Sequence, residues 1–541
     1  SVYLRKLFCG KITSLNSLMI SITRYKNFFL ITLLFFSSVF FNQHYGNIGV
    51  MPIDTFFPFN SGYDVLKGYF PFKDYWTITG PFMDIVQALF FKIFGISWFS
   101  YVLHASIFNF IFVIFFYQML RKFKLNINYS FFYSLLLSLL AYPSAGTPYV
   151  DHHSSYLSAL SVFTFILALK TNNKNYWFFL PIIFVFSFLT KQTPAGYILI
   201  IILSLSIIYF IFNFDFKKII YGFLGSITIL IIFLSMMILG KIPLTNFIEQ
   251  YILFPMSLGG SRLGEGFLFP LEFNRIFLRF KLIHLASIIL FVVIIINIKN
   301  NKRYLASNEF LIILSLISLS FTLIAHQLMT LNGIYIYFLI PILCAFSHIY
   351  FIKYFNKKKF ILYFLIALSS SSAIYYGYKY IDKRDFMDLR EVNLSKAIDA
   401  SSLDKKLDGL KWITPKYPEN PESEISKLKE VIEIIKNDDS EKAIFTDYQF
   451  ISVILSVYDN SPNKVWNSFH VYPTKGDSYF ESYKKFFINN IKNTKIKTIY
   501  LVKPFFRDDD VLKDILEKNC IKKIILNDIL DKFLIKDCSQ I

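Results

Sequence analysis

The sequence predicts a polytopic α-helical membrane protein of about eleven transmembrane helices, followed by a small α/β domain outside the bilayer. Three observations predict it: long apolar runs without charge, basic residues gathered in alternate loops, and a change of composition near residue 380.

The apolar runs come first. Of 541 residues, 55% are hydrophobic and the mean hydropathy is +0.47, more apolar surface than a soluble chain of this length hides. Phe28–Phe41, Ile198–Phe212, Ile227–Leu239 and Ile283–Ile296 hold no Asp, Glu, Lys or Arg. Flanking Ser, Tyr and Asn extend such runs toward the roughly 20 residues that a spanning helix needs. Spans are expected at 27–45, 98–120, 129–143, 153–169, 176–190, 197–213, 219–239, 282–298, 309–327, 333–352 and 360–379.

The net charge of +19 would suit a nucleic-acid partner, but its distribution excludes that reading. With the N-terminus inside, the even-numbered turns are Arg121–Lys124, Lys170–Lys174, Lys217–Lys218, Lys299–Arg303 and Lys353–Lys359. Together with Arg5, Lys6, Lys11, Arg24 and Lys26 they hold nineteen Lys and Arg, nearly without acids. The other turns are acidic, mixed or neutral, which is the positive-inside pattern. It predicts a cytoplasmic N-terminus and an external C-terminus. No small-residue cleavage site follows the first span, so that span reads as an uncleaved anchor.

Residues 1–380 form the expected membrane domain, with two long external loops. Loop 46–97 reads as one or two amphipathic helices on the membrane surface, Asp84–Phe94 among them. Loop 240–281 carries Gly259, Gly260, Gly264 and Gly266 around Arg262, a composition that predicts mobility. Residues 381–541 form the expected external domain. There Glu424–Lys436 and Asp509–Lys518 have helical spacing, and Ala443–Thr446 and Thr498–Val502 read as buried strands. It has no Gly-rich phosphate loop. Its Cys520 and Cys538 can bridge in an oxidising compartment, or stay as buried thiols.

Loop 46–97 also holds the candidate chemistry. Asp54 follows the first span within Pro52-Ile-Asp-Thr-Phe-Phe-Pro58. After it come Gly68, the turn Pro71-Phe-Lys-Asp74, the step Gly80-Pro81 and the pair Phe94-Gly95. Further on stand Phe188-Leu-Thr-Lys191-Gln192-Thr193 at a helix end, and Tyr335-Ile-Tyr337-Phe-Leu-Ile-Pro341. In this order and spacing the chain resembles the GT-C glycosyltransferases, the superfamily with bacterial protein O-mannosyltransferases and lipid A aminoarabinose transferases. The resemblance covers roughly residues 25–380.

That resemblance implies an inverting glycosyltransferase of the bacterial inner (plasma) membrane. It would move a sugar from a polyprenyl-phosphate donor to an extracytoplasmic acceptor, whether lipid, glycan or protein. Asp54 would be the general base, with Asp74 as a second catalytic candidate. An Asp at a helix start is often only an N-cap, and one in a loop often only marks a turn. Lys191 and Arg262 are the candidates to hold the donor phosphate, against the simpler reading of cations that snorkel to headgroups. Gln192, Asp151, His152, His326, Tyr335 and Tyr337 are expected to line the substrate cavity. Asp151-His152-His153 invites a metal reading, but neighbouring residues on a helix point about 100° apart. Many relatives carry a second acid directly after the Asp, whereas this chain has Thr55. A divalent metal is therefore not supported, and no cofactor is assigned. A lipid-linked polysaccharide polymerase or ligase shares this architecture. A transporter would place ionisable residues in mid-span, where this chain has hardly any.

Overall fold

The computed structural model describes residues 2–141, 146–262, 273–330, 336–355, 359–466, 471–503, 510–516 and 520–536. The helices run α1 (Val2–Gly46), α2 (Pro52–Lys67), α3 (Phe82–Phe94), α4 (Trp98–Lys122), α5 (Ile127–Leu140), α6 (Val150–Thr171), α7 (Asn175–Phe188), α8 (Gln192–Phe212) and α9 (Phe216–Leu239). They continue with α10 (Leu244–Phe247), α11 (Phe254–Arg262), α12 (Lys281–Asn300), α13 (Asn308–Thr330), α14 (Leu339–Tyr354) and α15 (Lys359–Gly377). Among the described residues, eight helices are long and apolar enough to cross a membrane by length and composition, and α5, α7 and α14 are shorter apolar helices. All of them overlap expected spans, eight at a length that crosses a membrane and three shorter. The chain is a polytopic helical membrane protein.

Helix α6 sits at the centre, buried from Val150 to Leu169. Small polar residues let it approach α7 closely: Ser187 donates to the Ser154 carbonyl at 2.8 Å, and the Ser158 and Ser187 hydroxyls are 2.8 Å apart. Around it α1, α4, α5, α7, α8 and α12–α15 share one apolar core.

Loop 46–97 does contain two helices, but only one has a surface character. α2 starts with Pro52 at its first position and stops at Gly68, whose φ of 94° is open to glycine. Thr55 to Asp64 are all buried, because Phe56, Phe59 and Tyr63 pack into a core that continues into the C-terminal domain through Trp412, Tyr448 and Phe450. α3 keeps an apolar face outward, with Leu89, Ile93 and Phe94 exposed, and turns Asp84 and Gln87 inward. That polarity fits a helix whose outer face meets lipid. In loop 240–281, Gly259 and Gly260 fall in α11, while Gly264 and Gly266 lie outside the described residues.

The C-terminal domain holds β1 (Ile398–Asp399), β2 (Lys411–Trp412), α16 (Pro421–Lys436), β3 (Lys442–Thr446), α17 (Phe450–Leu455), α18 (Phe480–Asn493), β4 (Thr498–Val502), α19 (Asp510–Ile515), β5 (Ile521–Asn527) and β6 (Leu530–Ile535). The main sheet has the order β3-β4-β6-β5, parallel between β3 and β4 and antiparallel elsewhere. Its hydrophobic core crosses residue 380 freely, so this domain and loop 46–97 pack as one body. Cys520 is disulfide-bonded, and Cys538 lies outside the described residues.

Candidate active site

The chain just before Asp54 is pinned by backbone pairing to the C-terminal domain. The Gly49 and Val50 N–H groups donate to the Lys411 and Ile413 carbonyls at 3.0 and 2.9 Å, and the Lys411 N–H donates back to Asn47 at 2.8 Å. Phe56 stacks on Trp412 with centroids 5.9 Å apart. Thr55 then closes the start of α2: its hydroxyl accepts the Met51 N–H at 2.9 Å, and its carbonyl accepts from the buried Tyr101 hydroxyl at 2.9 Å. The start of α2 carries no side-chain cap; Thr55 ties the Met51 N–H to the first turn, and Asp54 takes no part in that bond.

Asp54 bonds elsewhere. Its Oδ1 accepts from the Tyr149 hydroxyl at 3.3 Å. Its side chain is half-buried. Burial lifts its pKa to about 6, against the Tyr149 hydrogen bond, with the neighbouring Asp151 charge adding to the rise and Lys191 opposing it.

Beside it lie an ion pair and a histidine drawn from three helices. Lys191 Nζ is 2.6 Å from Asp151 Oδ1, and His326 Nε2 is 3.3 Å from the same oxygen. The Asp151 side chain is 6% exposed and that of Lys191 24%, so the pair opens on the lysine side.

The Gly80-Pro81 step explains why Lys191 stands there. The Gly80 N–H donates to the Thr190 carbonyl and the Phe82 N–H to the Leu189 carbonyl, both at 3.1 Å. A Cβ at residue 80 would fall 1.8 Å from the Leu189 carbonyl oxygen, so only glycine fits this seam. Gln192 completes it, donating its amide to the carbonyls of Ile78 at 2.9 Å and Tyr251 at 2.7 Å.

The remaining candidates separate. His152 packs between Tyr149 and Tyr156, with centroids 5.6 and 6.1 Å away, whereas His153 turns to His104 and Phe108 at 5.0 and 4.5 Å. Asp74 closes its own turn, accepting the Phe70 N–H at 2.7 Å, and its carbonyl accepts from Tyr458 and Asn490 of the C-terminal domain. Tyr337 is buried in a stack with Tyr376, centroids 3.5 Å apart. Tyr335 and the side chain of Arg262 lie outside the described residues. Among the described residues, no group of three or more His, Cys, Asp and Glu is arranged to hold a metal ion.

Two features escape a reading of the sequence. One is Tyr149, for which the only signal is its place two residues before Asp151. The other is a buried ion cluster under the C-terminal domain: Lys464 Nζ lies 2.6 Å from Asp64 Oδ2 of α2 and 2.5 Å from Asp459 Oδ1. The same ammonium sits 4.9 Å from the Tyr75 ring centre and 4.8 Å from that of Tyr458. Nearby, buried Asp84 accepts from Ser61 at 2.6 Å and Tyr75 at 3.1 Å. Nothing local in the sequence announces a pairing between residues so far apart.

No family model and no curated protein matches the chain. Among solved structures, the crystal structure of the Archaeoglobus fulgidus oligosaccharyltransferase in the apo form is similar over 88% of this chain and 70% of that one, with a TM-score of 0.43 and 13% identity. A likeness this distant carries no argument about activity, which rests on the residues above.

Proposed function

We propose that this protein is an inverting glycosyltransferase of the bacterial inner membrane, moving a sugar from a polyprenyl-phosphate donor to an acceptor outside the cytoplasm. The observation that carries the reading is Asp54: a half-buried carboxylate of pKa about 6, bonded to Tyr149 and beside an ion-paired lysine. A base of that pKa is mostly ionised at neutral pH and still strong enough to take a proton.

In this reading the acceptor hydroxyl gives its proton to Asp54 as its oxygen attacks the anomeric carbon. The bond from that carbon to the phosphate oxygen breaks on the opposite face, and the polyprenyl phosphate departs with the electron pair. Lys191 shares its charge between Asp151 and that phosphate, and His326 steadies Asp151. Gln192 and Gly80 hold the backbone that aims Lys191, so they act as positioning residues. Arg262, at the end of α11, remains the second phosphate candidate. Asp74 and Tyr337 are given structural roles. The C-terminal domain, packed against α2, takes part in choosing the acceptor.

Lipid extracts from a deletion strain test the proposal. A polyprenyl-phosphate monosaccharide, found by mass, should accumulate when the chain is missing. Accumulation of a lipid-linked oligosaccharide instead would favour a polymerase or ligase, and unchanged lipids would remove the proposal.

A further inference from the structure

The far end of the helix bundle holds a second site with no part in this chemistry. α6 and α13 both run between the two ends: Val150 and Thr330 lie by the acid group, and Thr171 and Asn308 at the opposite end. At about 1.5 Å per residue the two ends are about 30 Å apart. Between the ends of α4, α6, α13 and α14 there is a cavity of about 660 Å³, inside the range of about 300–1,000 Å³ typical of ligand sites.

Its lining is amphiphilic. Lys124, Lys170, Lys353, Asn126 and Asn308 supply polar atoms to it. Ile312, Ile349 and Ile352 form an apolar wall, with Ile352 exposed at the flank of the bundle. Glu309, the one acid lining the cavity, is already held by Lys353, by the Tyr354 hydroxyl and by Tyr304 at 3.3 Å. Lys124 and Lys170 have no acidic partner among the described residues. Lys170 Nζ instead lies 4.9 Å from the Phe123 ring centre, which holds it at the cavity. Two uncompensated ammonium groups call for an anion. An apolar wall open at the flank calls for an acyl chain, which a soluble anion lacks.

We propose that this cavity binds an anionic phospholipid of the adjacent leaflet, with its phosphate between Lys124 and Lys170 and a chain along Ile312, Ile349 and Ile352. Basic pockets between transmembrane helices hold anionic headgroups in this way. Lone lysines at helix ends merely snorkel; here two exposed ones line the same cavity as an apolar wall.

Native mass spectrometry of the purified full chain tests this, with phosphatidylglycerol and phosphatidylcholine offered together. The wild type should retain phosphatidylglycerol about tenfold over phosphatidylcholine, and Lys124→Gln/Lys170→Gln should bring the ratio close to one. Lys122→Gln/Lys174→Gln, at neighbouring lysines outside the cavity lining, should leave it unchanged, as should Lys124→Arg/Lys170→Arg. Pyrophosphate should not displace the lipid. A ratio of one in the wild type, a preference that survives in Lys124→Gln/Lys170→Gln, or an equal loss in the Lys122/Lys174 control would overturn the site. Displacement by pyrophosphate would show a site for a free anion and overturn the lipid.

Discussion

Lys191 Nζ lies 2.6 Å from Asp151 Oδ1, so the cation that the sequence singles out is already shared with an acid. Removing one partner of such a pair strands the other. Lys191→Ala and Asp151→Asn should each destabilise the protein by about 1–3 kcal/mol, below the cost for a fully buried pair because Lys191 keeps some contact with solvent. The double variant should cost less than the sum. Thermal unfolding in detergent measures the stability coupling, and donor titration should show a higher donor KM in both single variants. Additive stabilities would mean that the pair does not act as a unit.

The Tyr149 hydrogen bond gives a pH test. Asp54 must be ionised to act as a base, so activity should rise with pH through an apparent pKa of about 6. Tyr149→Phe removes a bond that lowers that pKa, so the rising limb should move to higher pH. A limb that stays in place in Tyr149→Phe would separate Asp54 from the observed titration.

The ion cluster at Lys464 should lock the C-terminal domain onto α2. One ammonium there lies between two buried acids, and Lys464→Met would strand the charge they share with it, at a cost of about 3–5 kcal/mol. Limited proteolysis should then cut between α15 and α16 faster than in the wild type. Burial raises the Asp64 carboxyl above its ordinary range even with Lys464 beside it. The folded state therefore keeps a proton that the unfolded chain releases near pH 4, and stability should fall as pH rises from there through the raised folded value. Asp64→Asn should flatten that slope, which pH-dependent unfolding would show.

Much of this was legible in the sequence because it is local. Charge-free runs and the basic turns marked the eight long apolar helices, and Gly68, Gly80-Pro81 and Gly95 marked the joints of loop 46–97. What was not legible depends on what packs against what. Loop 46–97 read as surface helices, yet Phe56, Phe59 and Tyr63 in it are buried in one core with Trp412 and Phe450. Lys191 read as a free cation because Asp151 is on another helix. Asp54 could equally have been a cap until Thr55 was seen to close the helix start.

The seam at residue 80 can be broken with one methyl group. Gly80→Ala places a carbon on the Leu189 carbonyl and must displace the backbone that carries Lys191. Donor binding should weaken along with stability, by more than the roughly 1 kcal/mol typical of a single substitution. Normal donor KM in a folded Gly80→Ala protein would show that Lys191 does not depend on this seam.

Turnover of Asp54→Asn tests the central claim most directly. Asn keeps the size and can accept from Tyr149, but it takes no proton at neutral pH. Because Thr55 closes the helix start, the substitution should leave the melting temperature near that of the wild type. With a polyprenyl-phosphate sugar and its acceptor, kcat should drop by about 10²–10⁴-fold while donor binding is kept. An Asp54→Asn enzyme that turns over like the wild type would contradict the assignment of Asp54 as the base.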